Sequence, residues 1–413
     1  MPRNSRVGAI PLVHLLVGAG MTLLVIIWRS REGDPTPFLP IAERLAKGLV
    51  AYRDFSVEYP PLGLVHIYLP RLLSGPAPDS YQTLFSLLSI VLAIGTAGAV
   101  FWLARRRWAA ENPLNATLLF AGLALAGAPL VVWRFDILPA FLTALALVAY
   151  AARRPGWSGL WLGFGTLAKI YPAFLVPVFA AAHLFERHVR PAALIVFGAG
   201  VAVIAVMAET VLAAGPGALS FLAYQQDRGV EIESISGGMA MLASALGGPP
   251  AQVAIGFGAW QVKSAFLDTI ALPQTLFEVV VIVGLLAAGW ISFARDVRMG
   301  GMVTPRTLVR YSLATLLAVI LTNKVLSPQY LIWLLPFAAL LPGRQSLLLL
   351  AILVLTTVLY PLTFQSLVGV QAPAVIALNV RNVMLVVFYA WVVFPRGSER
   401  PASERSYVRD PAN

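Results

Sequence analysis

"WSGLWLGFGTLAKIYPAFLVPVFAAAHLF", residues 157–185, decides the fold. It is longer than one ordinary membrane span and shorter than two, which need roughly 40 residues. Arg153 and Arg154 precede it, and Arg187 and Arg190 follow it. Arginine collects on the cytoplasmic side of membrane helices, so both ends of the stretch belong on one face. A hairpin of two short helices satisfies both constraints. The break belongs near Lys169, Tyr171 and Pro172, because proline removes a donor and disfavours helix at the residue before it. Irregular backbone at that depth is tolerated only against protein or a water-filled cavity.

The rest of the chain fits a membrane protein. Of 413 residues, 59% are hydrophobic and 12% are charged. Mean hydropathy is +0.79. A soluble protein of this size could not hide so much apolar surface. Apolar runs occupy residues 9–28, 84–104, 114–133, 137–152, 157–168, 171–186, 191–213, 274–294, 307–322, 328–342, 345–364 and 374–394. The predicted fold is therefore all-α and polytopic, with about 12 transmembrane helices. It has short broken hairpins and an outward-facing cavity.

Every arginine cluster agrees with one alternation that puts both termini in the cytoplasm. The net charge of +11 needs no other cause, and nucleic acid is excluded as a partner because no basic stripe is interleaved with exposed aromatics. The chain has no cysteine, so disulfides and thiolate chemistry are excluded. The reading is of one membrane domain over 1–395, with outer loops at 29–83 and 214–273 and a disordered cytoplasmic tail at 396–413. Within the first loop, residues 37–52 read as an amphipathic helix on the membrane surface, with Phe38, Ile41, Leu45 and Leu49 on one face.

The hairpin device recurs at 307–342, around "LTNKVLSPQY", and a tight junction at 131–140 reads "VVWRFDILPA". Three shallow connections imply a recess on the outer face. Charges gather there: Asp34, Glu58, Arg134, Asp136, Lys169, Arg228, Glu231, Glu233 and Lys324. Ionisable residues at a membrane edge are costly and mark function. The chain has four lysines, Lys47, Lys169, Lys263 and Lys324, and two of them occupy the proline-broken hairpins. A compact ammonium at such a break suits a phosphate; it suits a helix C-terminus as well. Asp136 is expected to orient Arg134. Glu58 either binds sugar hydroxyls or pairs with Arg53. Gln329 either donates to a sugar or phosphate oxygen or satisfies backbone freed by Pro328. His14 and His66 read as packing or interface residues. His183 and His188 fall near the cytoplasmic face.

The ordered stretches "GDPTPFLPIAERLAKGLVAYRDFSVEYPPLGLVHIYLP", "PLVVWRFDILPAFLTALAL", "GTLAKIYPAFLVP", "RGVEIESI" and "LSPQYLIWLLP" span residues 33 to 336. Together they resemble the GT-C glycosyltransferases, specifically glycosyltransferase family 87, which includes polyprenyl-phosphate-mannose-dependent mannosyltransferases. The resemblance implies an enzyme of the plasma (inner) membrane with an extracytoplasmic active site. It would move a hexose, mannose foremost, from a polyprenyl-phosphate donor to a glycan or glycolipid acceptor, with inversion. It also implies that Asp34, at the family's position in the first outer loop, is the catalytic base. Arg134, Lys169, Arg228 and Lys324 are the candidates for the donor phosphate. Glu58, Tyr59, Asp136, Tyr171, Glu231, Glu233 and Gln329 are the candidates for sugar or acceptor. The loop lacks the Asp-x-Asp pair of the wider superfamily, so no metal or other cofactor is expected. The competing class is a lipid or polyisoprenoid-glycan flippase, but transporters place charge near the midplane between internal repeats, and no repeat is visible here.

Overall fold

The computed structural model describes residues 18, 20, 36–106, 108–110, 112–341 and 343–394. The expected first span at 9–28, Asp34 and the tail after 395 lie largely or wholly outside the described residues.

The chain is a mostly helical multi-pass membrane protein. Among the described residues, five helices are long and apolar enough to cross a bilayer: Pro78–Arg105, Val189–Asp227, Phe266–Gly300, Gly343–Leu362 and Ala372–Val393. Shorter apolar helices include Pro113–Ala126, Ile137–Ala151, Tyr171–Phe185 and Ile235–Ala245. The last of these falls in the loop at 214–273, where no helix was expected.

The two broken hairpins are present. Helix Pro155–Ala168 stops at Lys169, whose backbone is extended (φ −160°, ψ 140°). A 3₁₀ turn at Tyr171–Phe174 follows, and an α-helix resumes at Leu175–Phe185. Helix Pro305–Leu321 likewise stops before the 3₁₀ segment Pro328–Leu334. In each case a proline sits at the start of the resumed turn, where its missing N–H costs nothing.

Helix Pro155–Ala168 packs against Val189–Ala214 at backbone distance. A Cβ added at Gly159 would stand 1.9 Å from the Ile195 carbonyl oxygen, and one at Gly163 would stand 2.5 Å from that of Ala199. Small residues four apart are a membrane device for close helix approach. Gly159→Ala is therefore expected to destabilise the protein by about 1–3 kcal/mol, the usual cost of overpacking. Gly200→Ala on the facing helix, with open space around it, is the control and is expected to be neutral or better. Thermal unfolding in detergent reads both.

Two further features differ from expectation. The first is the amphipathic segment. Helix Leu39–Ala46 does form, but its apolar side is packed on protein. Phe38, just ahead of it, is buried, stacks on Phe85 at 5.5 Å and meets Tyr59 and Phe135 edge-on. Arg71 on helix Pro61–Ser74 pairs with Glu43 at 2.6 Å. The same four-residue spacing that suits a lipid surface suits a neighbouring helix.

The second is a β-hairpin, Gln252–Gly256 with Ala259–Lys263, where the all-α reading expected none. Its two-residue loop is Phe257 and Gly258, both with positive φ (52° and 68°). That is the geometry whose twist matches paired strands. The hairpin leans on the segment before Ile235–Ala245: Val262 N–H donates to the Val230 carbonyl and Ile232 N–H to the Trp260 carbonyl.

Candidate functional site

Four stretches converge on one cavity of about 510 Å³. The first is the turn at Arg134–Asp136. Helix Ala128–Trp133 ends at Arg134, which is extended, and Asp136 holds the N-cap position of Ile137–Ala151. Asp136 makes no cap bond with its side chain. Its Oδ1 instead accepts from Lys169 Nζ at 2.6 Å and from Trp333 Nε1 at 2.7 Å. The expected partnership of Asp136 with Arg134 gives way to this one, because the second stretch, the break at Lys169, brings an ammonium to the same place. Asp136 is 1% exposed. Arg134 donates to the Trp133 carbonyl at 2.9 Å and to the Tyr360 hydroxyl.

The third stretch is the second break, Ser327–Trp333. Trp333 is sandwiched between Tyr171 and Tyr330, with ring centroids 4.2 and 4.1 Å away. Lys169 Nζ lies 4.9 Å from the Tyr330 ring and 5.0 Å from that of Phe135. An ammonium held by a buried carboxylate and by aromatic faces is fixed in place.

The fourth stretch, residues 228–234, is held from two sides. Glu231 N–H donates to the Lys324 carbonyl, while the β-hairpin bonds the other edge. Ser234 caps helix Ile235–Ala245 through Gly237 N–H at 3.0 Å. Arg228 meets Glu231 at 2.5 Å and Glu58 at 3.5 Å. Ser327 donates to the other oxygen of Glu231 at 2.9 Å.

Glu233 differs in having no ion pair among the described residues. It is 4% exposed, and its Oε1, like Asp136 Oδ2 and Glu58 Oε2, is buried without a hydrogen-bond partner. Arg381 stands behind it, fully buried, but donates to the Glu233 backbone carbonyl at 3.0 Å. Burial raises the Glu233 carboxyl to about 7; Arg381 opposes the shift and Glu231 adds to it.

Of the residues named from sequence, Glu58, Tyr59, Arg134, Asp136, Lys169, Tyr171, Arg228, Glu231, Glu233 and Gln329 all line the cavity. Lys324 does not. It is exposed, with Nζ on the Gln226 carbonyl at 2.9 Å. Asp34 lies outside the described residues, but Pro37, three positions on, is in the lining. Glu58 faces Arg228 rather than Arg53, which pairs with Asp54. His66 is a packing residue: its ring is buried, bonds to Ser89 and meets Phe85 edge-on. His183 and His188 flank Glu186, away from the cavity lining.

Sequence reasoning missed Trp333, Tyr360 and Arg381. For Arg381 a signal existed: it is an arginine inside the apolar run 374–394, and such residues face protein and mark function.

Comparison with solved structures finds a likeness to arabinosyltransferase EmbB from Mycobacterium smegmatis, at 15% sequence identity and a TM-score of 0.40. It covers 99% of this chain and 43% of that one. No curated protein matches. The family model Glycosyltransferase family 87 matches residues 57–322, well over half of the chain and most of the residues that line the cavity. The chain belongs to glycosyltransferase family 87.

Proposed function

We propose that this glycosyltransferase moves a hexose, mannose foremost, from a polyprenyl-phosphate donor to a glycan or glycolipid acceptor on the outer face of the plasma membrane. One observation carries the reading. A single cavity gathers three cations, Arg134, Lys169 and Arg228, beside an aromatic wall of Tyr171, Trp333 and Tyr330. Cations suit a phosphate, and an aromatic wall suits the apolar face of a sugar ring.

In this reading the acceptor oxygen attacks the anomeric carbon. The bond from that carbon to the phosphate oxygen breaks, and both electrons leave with the phosphate. The acceptor proton goes to the Asp34 carboxylate, and attack from the far side inverts the anomeric centre. Pro37, three positions after Asp34 in the sequence, lines the cavity. Fixed cations in a site shielded from water stabilise the departing phosphate more than water does. Arg134, Lys169 and Arg228 are each partnered at rest, so the donor takes them over by exchanging partners. The arginine distribution along the chain supports the outward orientation.

The test incubates membranes containing the protein with radiolabelled polyprenyl-phosphate sugars and identifies the product. A new glycosidic bond, formed from the mannosyl donor and absent from control membranes, is the expected result. Labelled lipid that crosses the bilayer with no new bond overturns the reading in favour of a transporter.

A further inference from the structure

The four carboxylates that line the cavity among the described residues are not equivalent. Asp136 is matched by Lys169 and Trp333, Glu231 by Arg228 and Ser327, and Glu58 by Arg228. Only Glu233 has no cation on its carboxylate. The one beside it, Arg381, donates to its backbone carbonyl. Asn382, on the same helix Ala372–Val393, also donates to that carbonyl, at 3.5 Å. The charged groups acting on Glu233 are Arg381 from that helix, Arg134 from the opposing turn and Glu231 from its own segment. With Arg381 included, four cations balance four ionised carboxylates among the described residues of the site. A phosphodiester brings one more negative charge, and it arrives beside an unmatched carboxylate.

We propose that Glu233 takes up a proton when an anionic phosphosugar enters the cavity, and holds it as a neutral acid that donates a hydrogen bond to the ligand. This deepens the functional reading above and rests on it. The buried carboxyl already titrates near neutrality, and a nearby anion raises it further. Proton uptake is therefore linked to binding. Below about pH 7 the free site already carries the proton, and affinity is flat. Above it, affinity falls toward tenfold per pH unit.

The test is calorimetry in detergent, in buffers of different ionisation enthalpy, from pH 6 to 8.5. Two probes are used: polyprenyl-phosphate mannose, and the methyl diester of polyprenyl phosphate, which has no sugar. Both are diesters and do not titrate in this range. The expected result is an uptake at pH 8 of about one proton per ligand, and of about none by Glu233→Gln, which binds at pH 8 as the wild type does at pH 6. Affinity of the wild type independent of pH, or an unchanged proton uptake in Glu233→Gln, overturns the proposal. If the sugar-free diester binds with proton uptake and the mannosyl lipid does not bind, the proposal stands and the assignment of donor falls. If neither binds at any pH, both fall.

Discussion

Replacing Lys169 with methionine is expected to destabilise the protein by roughly 3–5 kcal/mol, because it leaves Asp136 a buried charge without its cation. The carboxylate is 1% exposed and keeps only the Trp333 indole N–H. A second change, Asp136→Asn, is expected to restore most of the loss, since the carboxamide oxygen still accepts from Trp333 and no charge is stranded. The double variant then separates structure from function. If Lys169 also meets the donor phosphate, the double variant folds but needs more donor. A hydrogen bond to a charged group contributes about 1.5–3 kcal/mol, so KM for the lipid donor rises roughly 10- to 100-fold. Unfolding in detergent and steady-state donor kinetics give the two readings. A double variant with wild-type stability and wild-type donor KM makes Lys169 a purely structural lysine.

That pair also marks how far the sequence is legible. The break at Lys169 follows from local rules: an apolar run of the wrong length, arginines at both ends and a proline at the turn. The same rules locate the break before Pro328. The partner of Lys169 does not follow from them. Asp136 is 33 residues away and Trp333 lies 197 residues from Asp136, so their meeting depends on how the two hairpins pack. Lys324 shows the cost of local reasoning. It sits beside a break much as Lys169 does, yet it points to the Gln226 carbonyl and stays exposed. The β-hairpin was hidden for a related reason. Its strands are five residues long and its turn is Phe257–Gly258, without the Asn-Gly or Asp-Gly pair that announces such turns. Glu233 was a legible candidate, but its isolation was not, because that depends on where Arg381 spends its hydrogen bonds.

Asp34→Asn is expected to leave insertion, folding and donor affinity intact and to lower turnover by about 10²–10⁴-fold, the usual contribution of a positioned base. The carboxamide keeps the shape of the side chain and its capacity to accept one hydrogen bond. It cannot take the proton that the acceptor hydroxyl loses. The loss therefore falls on kcat, and KM for the donor stays near the wild-type value. A fall in donor affinity of similar size assigns Asp34 to binding, and near-normal turnover removes it from the mechanism. The pH dependence keeps this carboxylate apart from Glu233. The linkage at Glu233 acts on donor affinity above about pH 7, so Asp34→Asn is expected to retain it and Glu233→Gln to abolish it. If removing Asp34 instead abolishes the pH dependence of binding, the proton follows Asp34, and the roles assigned to the two carboxylates must be exchanged.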